Sequence, residues 1–157
     1  MNVEFKYKPK IADLIDRLSI DILKSIFITD YRKEYRNEMF DIRHDLNILI
    51  EEKKSQGINL DAQDIYAIIC IALTNREIWL NESKARKGDS DQDKLLKFTH
   101  SINGQRNSAK NIISDSLNDR KDLKIDCLAA EFKSDDFIKE HGNWDILEDW
   151  RINENND

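Results

Sequence analysis

Two stretches of the sequence carry the polar side chains that are best placed to bind a ligand. In the first, Trp79, Glu82 and Arg86 recur at intervals of three and four, so they share one face of a helix. In the second, five polar residues follow the same spacing: His100, Asn103, Arg106, Asn107 and Lys110. Arginine and lysine bind phosphate or carboxylate oxygens, asparagine reads polar edges, and tryptophan stacks on bases and sugars. The set predicts a pocket for a nucleotide or another small phosphorylated ligand between antiparallel helices.

Arg106 is the most informative member of this set, because it falls on the apolar seam of its helix, one turn after Ile102. A charge on a core seam needs a partner, a ligand or access to water. Ligand binding is one interpretation. The other is architectural: Arg106 pairs with Glu82 or Asp45, and Trp79 belongs to the core.

Catalytic motifs are scarce in this chain. It has no glycine-rich phosphate loop, no paired cysteine motif and no nucleophile elbow. Asp13 and Asp16 could hold magnesium on a helix, so a magnesium-dependent nucleotide hydrolase is an alternative function. The pair His44-Asp45 is like the metal motif of histidine-aspartate phosphohydrolases, but no histidine precedes His44. We therefore expect a partly buried His44, no metal site and no cofactor, which favours a non-catalytic binding protein.

Long helices must position these residues, because 157 residues include only one proline and four glycines. We predict an all-α fold: an antiparallel bundle of four main helices with a short extended piece and a docked C-terminal segment. The first helix is expected to start at Pro9 and the second to run from about Asp30 to Lys54. Asp61 is expected to cap the third, which ends near Lys87, and Ser90 to cap the fourth, which runs to about Leu117.

Apolar spacing assigns the faces of these helices. The first helix carries two stripes on roughly opposite sides, so it is either central in the bundle or shared with a partner chain, and we predict a homodimer. The expected core positions of the third helix are Ile65, Ile68, Ile69, Ala72, Trp79 and Leu80. Those of the fourth helix are Leu95, Thr99, Ile102, Ala109, Ile113 and Leu117.

The C-terminal part of the chain differs from the rest. Alternation of Leu123, Ile125 and Cys127 predicts an extended piece. We place a helical bundle domain over residues 1–134 and an acidic segment over 135–157, where Trp144 and Trp150 indicate docking. This segment holds eight acidic and two basic residues, a net charge of −6 that equals the net charge of the whole chain.

An acidic segment on a neutral body argues against general nucleic-acid binding, which needs a net basic face. The same segment offers a third function, a protein–protein interaction module that inhibits a host enzyme. No stretch is apolar for long enough to span a bilayer, and residues 1–10 have no signal-peptide core. Cys70 lies in an apolar run and predicts a buried free thiol. These features predict a cytoplasmic protein.

Three segments resemble small helical proteins of unknown function found in phages and bacteria. They are residues 11–19, 78–86 and 99–110, with the tryptophan–glutamate–arginine and asparagine–arginine–asparagine patterns already described. The resemblance covers roughly residues 10 to 130. It implies a helical fold and marks Trp79, Glu82, Arg86, Asn103, Arg106 and Asn107, but it implies no reaction. A phage origin would imply a protein that blocks or sequesters a signal in the cytoplasm of a host.

Overall fold

Five helices follow one another in the computed structural model, which describes residues 6–88, 92–123 and 135–147. They are α1 (Ile11–Phe27), α2 (Arg32–Ser55), α3 (Ala62–Arg86), α4 (Gln92–Ser116) and the short α5 (Asp135–His141). No strand occurs within those ranges. The predicted all-α bundle of four main helices is confirmed.

The four main helices alternate in direction along the chain. Salt bridges join Lys8 to Glu52 and Arg17 to Glu38, so α2 returns antiparallel to α1. Hydrogen bonds join Ser116 to Asp64 and Arg106 to Asn75, so α4 returns antiparallel to α3. The short turns after α2 and α3 leave room only for such a reversal.

α1 lies at the centre of the bundle, because it packs against α2, α3 and α4. Ile11 and Ala12 are fully buried at its start, and Leu23 is buried near its end. The central position accounts for apolar residues on more than one side of α1. Ile22, Ile26 and Phe27 stay exposed at its C-terminal end.

Local signals fix both ends of α3. The Asp61 carboxylate accepts hydrogen bonds from the backbone N–H groups of Gln63 and Asp64, at 2.9 and 3.0 Å. The Asp64 carboxylate accepts one in return from the Asp61 N–H, which completes a capping box. Gly88 follows the helix with φ of +72°, a conformation that favours glycine. Ser90, which is expected to cap the fourth helix, lies outside the described residues.

The core lies between α1, α3 and α4, with Ile42 and Leu46 reaching it from α2. Five of the six seam residues expected for the fourth helix are buried, including Leu117 just after the end of α4, and Thr99 is partly buried. On α3 the expected core face is partly wrong, because Ile65, Ile69 and Ala72 are exposed. α3 is apolar on nearly every side, so its sequence did not reveal which face meets α1 and α4. The buried face of α3 is instead formed by Asp64, Ala67, Cys70, Ile71, Thr74, Asn75 and Asn81.

The expectation of a partly buried His44 is also wrong. His44 is exposed on α2, and so are Phe40 and Ile48, one turn away on either side. The Nδ1 atom of the histidine ring lies 3.2 Å from Oδ1 of its neighbour Asp45. The α2 surface around His44 faces water because α2 buries only its Ile42–Leu46 side.

Residues 141–147, which begin at the last residue of α5, contact the bundle. Leu147 is 2% exposed and joins the main core, and the Tyr66 hydroxyl donates a hydrogen bond to the carbonyl of Ile146. The rings of Phe98 and His141 lie 4.5 Å apart. Most of the expected extended piece, including Ile125 and Cys127, and the predicted docking residue Trp150 lie outside the described residues.

Cys70 is buried as a free thiol, and its burial raises its pKa. In the described parts of the chain, no helix has the length and apolar character needed to cross a membrane.

Candidate functional site

A cluster of polar side chains lies between α1, α3 and α4, inside an otherwise apolar contact. We call it the seam cluster, and its members are Asp13, Asp16, Ser19, Asn75, Arg106 and Lys110. The cluster holds two carboxylates and two cations, so its formal charge is balanced.

Asn75 is the centre of the seam cluster. Its side chain is only 3% exposed and makes three hydrogen bonds to two other helices. The amide nitrogen donates to Asp16 Oδ1 and to Ser19 Oγ, both at 2.7 Å. The amide oxygen accepts from Arg106 Nη1 at 3.0 Å. One amide therefore links α1, α3 and α4, and it uses both its donor and its acceptor side.

Arg106 reaches the cluster from α4, and no carboxylate of the described residues forms an ion pair with it. Its hydrogen bond in the described structure goes to Asn75, not to Glu82 or Asp45, so the architectural pairing considered from sequence is wrong. The Nε atom of Arg106 is buried and has no hydrogen-bond partner among the described residues. A guanidinium carries five N–H donors, and the bond of Arg106 to Asn75 uses only its Nη1 group.

Lys110 lies one turn beyond Arg106 and joins the two carboxylates of α1. Its ammonium is 2.9 Å from Asp13 Oδ1 and 3.5 Å from Asp16 Oδ2, and its side chain is mostly buried. Asp13 also lies 3.7 Å from the ammonium of Lys10. The aspartates considered as magnesium ligands thus hold ammonium groups. Over the described ranges, no three histidine, cysteine, aspartate or glutamate side chains are grouped to hold a metal ion.

Trp79 and Asn103 lie one turn from the centre of the cluster, on α3 and α4 respectively. Trp79 is half-buried and stacks on Phe27 of α1, with ring centres 6.0 Å apart and planes 19° apart. The Oδ1 atom of Asn103 is buried and accepts no hydrogen bond from the described residues. Asn107 is half-buried on α4 between Asn103 and Lys110.

Three of the residues proposed from sequence lie away from the cluster. Glu82 and Arg86 form an exposed pair on α3, with 3.5 Å between their charged atoms. Arg86 lies eleven residues beyond Asn75, which is about 16 Å along a helix axis. His100 is exposed on α4. The two arginines therefore do not converge on one cavity, and the site is smaller than the predicted one.

Asn75 and Ser19 are the members that sequence reasoning missed. Asn75 lies four residues before Trp79, so extending the Trp79–Glu82–Arg86 face by one turn toward the N-terminus reaches it. Ser19 lies three residues after Asp16 on α1 and donates to its carbonyl at 2.9 Å. The residue type alone does not mark Asn75 or Ser19 as part of a functional site, because asparagine and serine are common on the exposed faces of helices.

In the described part of the chain, two fully buried carboxylates lie outside the seam cluster. Burial raises the pKa of Asp21, and the nearby Glu38 raises it further, although Lys24 and Arg17 lie 3.4 and 3.7 Å away. Burial also raises the pKa of Asp64, which accepts a hydrogen bond from the Ser116 hydroxyl at 2.8 Å. Asp64 caps α3 and ties it to α4, so its role is structural.

A partly open apolar cavity of about 160 Å³ lies at the end of the bundle where α1 begins and α4 ends. It does not include any member of the seam cluster. Its lining residues are Ile11, Ile50, Lys53, Lys54, Ile58, Asn59, Leu60 and Leu117.

Comparisons with known proteins give no relative. No family model matches the chain, and neither a curated protein nor a solved structure matches it. The resemblance to helical phage and bacterial proteins therefore stays a prediction.

Proposed function

We propose that this protein is a non-catalytic binding protein for a nucleotide or another small phosphorylated ligand, with Arg106 as the anion-binding group. The observation that carries this proposal is the state of the Arg106 guanidinium. Among the described residues it lies partly buried on a helix seam, its hydrogen bond goes to an amide and not to a carboxylate, and its Nε donor has no partner.

The chemistry of the neighbouring groups supports a phosphorylated ligand. A guanidinium binds phosphate oxygens through two parallel N–H donors, and such bonds are stronger in a partly desolvated site. Because Asp13 and Asp16 neutralise Lys110, Arg106 is the cation of the cluster that can meet an anion. The buried Oδ1 of Asn103, one turn from Arg106, has no hydrogen-bond donor among the described residues and suits a hydroxyl or amine of a ligand, and Trp79 supplies an aromatic ring on the neighbouring helix α3.

The arrangement favours binding over hydrolysis. A magnesium-dependent hydrolase needs carboxylates that are free to hold the metal, whereas the ammonium of Lys110 lies against both Asp13 and Asp16. A binding protein of this kind would act by sequestering its ligand, in a host if the chain comes from a phage. The acidic-segment alternative is less supported, since Leu147 is already committed to the core.

Isothermal titration calorimetry with inorganic phosphate and a panel of nucleoside mono-, di- and triphosphates tests this proposal. We expect saturable binding of at least one nucleotide, weakened about tenfold or more by Arg106→Gln, which corresponds to about 1.4 kcal/mol. Arg106→Lys keeps the charge but loses the planar fork, so we expect intermediate weakening.

Arg86→Gln is the matched control, because Arg86 is an exposed arginine in an ordinary pair with Glu82. We expect this variant to bind as the wild-type protein does. Circular dichroism must show that each variant is folded. The proposal is wrong if wild-type protein binds no member of the panel, or if folded Arg106→Gln and Arg106→Lys both retain full affinity.

A further inference from the structure

α3 exposes a row of large aliphatic side chains on the side that does not contact α1 or α4. Ile65, Ile69 and Leu73 recur every four residues and are 57%, 53% and 49% exposed. Ala62 and Ala72 lie beside them and are also exposed. We call these five residues the α3 stripe. Residues of this size at helical spacing are buried in most single domains, so a contiguous exposed row indicates a contact surface.

The spacing of the stripe suits a second helix. From Ala62 the positions advance by three, four, three and four residues, through Ile65, Ile69 and Ala72 to Arg76. This is the heptad interval at which two α-helices pack side by side. The small alanines Ala62 and Ala72, which flank the two isoleucines, leave space for side chains of the opposite helix.

The charges at the two ends of the stripe select its partner. Asp61 is exposed at the N-terminal end, and Arg76 is exposed at the C-terminal end without an ion pair in the described structure. Two copies of α3 packed in parallel would place like charges together. Two copies packed antiparallel about Ile69 place Arg76 of each copy beside Asp61 of the other, and Ile65 opposite Leu73. The charges and apolar side chains along α3 are therefore complementary to those of a second, antiparallel copy of α3.

We propose that the chain forms a symmetric homodimer through the α3 stripe, with the two α3 helices antiparallel and the two-fold axis near Ile69. The proposal goes beyond ligand binding and does not depend on it. Ile69 and Asn75 are six residues apart, which is about 120° around the helix, so the dimer leaves the seam cluster untouched. This surface replaces α1 as the basis for expecting a homodimer, since α1 is central in its own bundle.

Sedimentation velocity over a concentration series of the full chain gives the first test. We expect a monomer–dimer equilibrium, and we expect Ile69→Glu to raise the dimer dissociation constant by about tenfold or more. Ile48→Glu on α2 is the matched control, because Ile48 is 55% exposed but lies outside the stripe. A wild-type chain that stays monomeric at every concentration overturns the proposal, as does an Ile69→Glu variant that dimerises normally.

Two further variants test the antiparallel direction. Asp61→Asn retains a good helix-capping oxygen but removes the charge, and Arg76→Gln removes the opposite charge. In the antiparallel dimer each change weakens association several-fold. In a parallel dimer each change relieves repulsion and strengthens association, which would contradict the proposal.

A cysteine placed near the two-fold axis gives an independent readout. In a Cys127→Ser background, we expect Ile69→Cys to form a covalent dimer under mild oxidation, because the two copies of residue 69 face each other. Ile48→Cys in the same background should not. Equal cross-linking of both variants would show random collision and count against the proposed axis.

Discussion

Asn75 shows how one residue can join three helices. It has no charge and is almost completely buried, yet it makes hydrogen bonds to Asp16, Ser19 and Arg106 together. An amide can do this because it donates and accepts on one planar group. In a buried polar network, removing one partner is costly because it leaves the groups it bonded unpaired. The side chain of Asn75 therefore controls the positions of both Asp16 and Arg106.

Asn75→Ala is expected to destabilise the protein by about 2–4 kcal/mol, because it leaves a partly buried guanidinium and a carboxylate without their hydrogen-bond partner. Urea unfolding followed by circular dichroism measures this loss. Asn47→Ala on the exposed surface of α2 is the matched control, and it should change stability by less than about 0.5 kcal/mol. A similarly small change for Asn75→Ala would show that the amide link is not a structural requirement.

Asp21 gives a prediction about pH. Its carboxylate is fully buried, and its pKa is raised by burial and by Glu38. The folded state then binds its proton more tightly than the unfolded state does. The contribution of Asp21 to stability is therefore greatest at low pH, and it falls as the pH rises from about 4 toward the higher folded pKa.

Asp21→Asn removes this ionisation while it keeps the size of the side chain. We expect the variant to have a higher Tm than the wild type at pH 7, with the difference closing near pH 3. A gain of 1 kcal/mol corresponds to about 2–4 °C in a domain of this size. Thermal unfolding at both pH values measures the effect. A variant that loses stability at pH 7 would show instead that the ion pairs with Lys24 and Arg17 outweigh the cost of burial.

At the scale of the element, the sequence predicts where helices begin and end better than which way they face. The limits of α3 follow from Asp61 and Gly88, whose effects act within one turn of the chain. The seam of α4 is also predictable, because polar residues separate its apolar positions. The buried face of α3 is not, since isoleucine, leucine and alanine occur almost all round the helix. Only packing against α1 and α4 decides that Ile71 is buried and Ile69 is exposed.

The residues of the candidate site also fall into two groups, those that the sequence predicts and those that it does not. Arg106 and Lys110 could be selected from sequence, because each is a cation close to an apolar seam. Their partners could not, because Asn75 is 31 residues from Arg106 along the chain. Spacing alone groups Arg86 with them, and spacing cannot show that Arg106 contacts α3 at Asn75, about three turns from Arg86. Contacts between helices depend on how the whole bundle is assembled.

At the scale of the whole molecule, composition predicts long helices. It does not predict which parts of the chain contribute to the core, and the structure shows this. Leu147 lies 30 residues beyond Leu117, the last core residue of the fourth-helix region, yet both belong to the same cluster. Tyr66 also ties this segment to α3 through its hydrogen bond to Ile146. Residues 144–147 are thus part of the bundle's stability, although they follow its last long helix.

Leu147→Ala should therefore weaken the entire bundle and not only its C-terminal segment. Loss of a fully buried leucine side chain costs about 2–5 kcal/mol, from lost burial and from the cavity that remains. Leu123→Ala is the matched control, because Leu123 is 88% exposed; its expected change is below about 0.5 kcal/mol. Urea unfolding followed by both far-ultraviolet circular dichroism and tryptophan fluorescence measures the change. If the two signals shift together in Leu147→Ala, the segment and the bundle unfold as one unit. If only the fluorescence shifts, the segment unfolds by itself, and Leu147 stabilises the segment without stabilising the bundle.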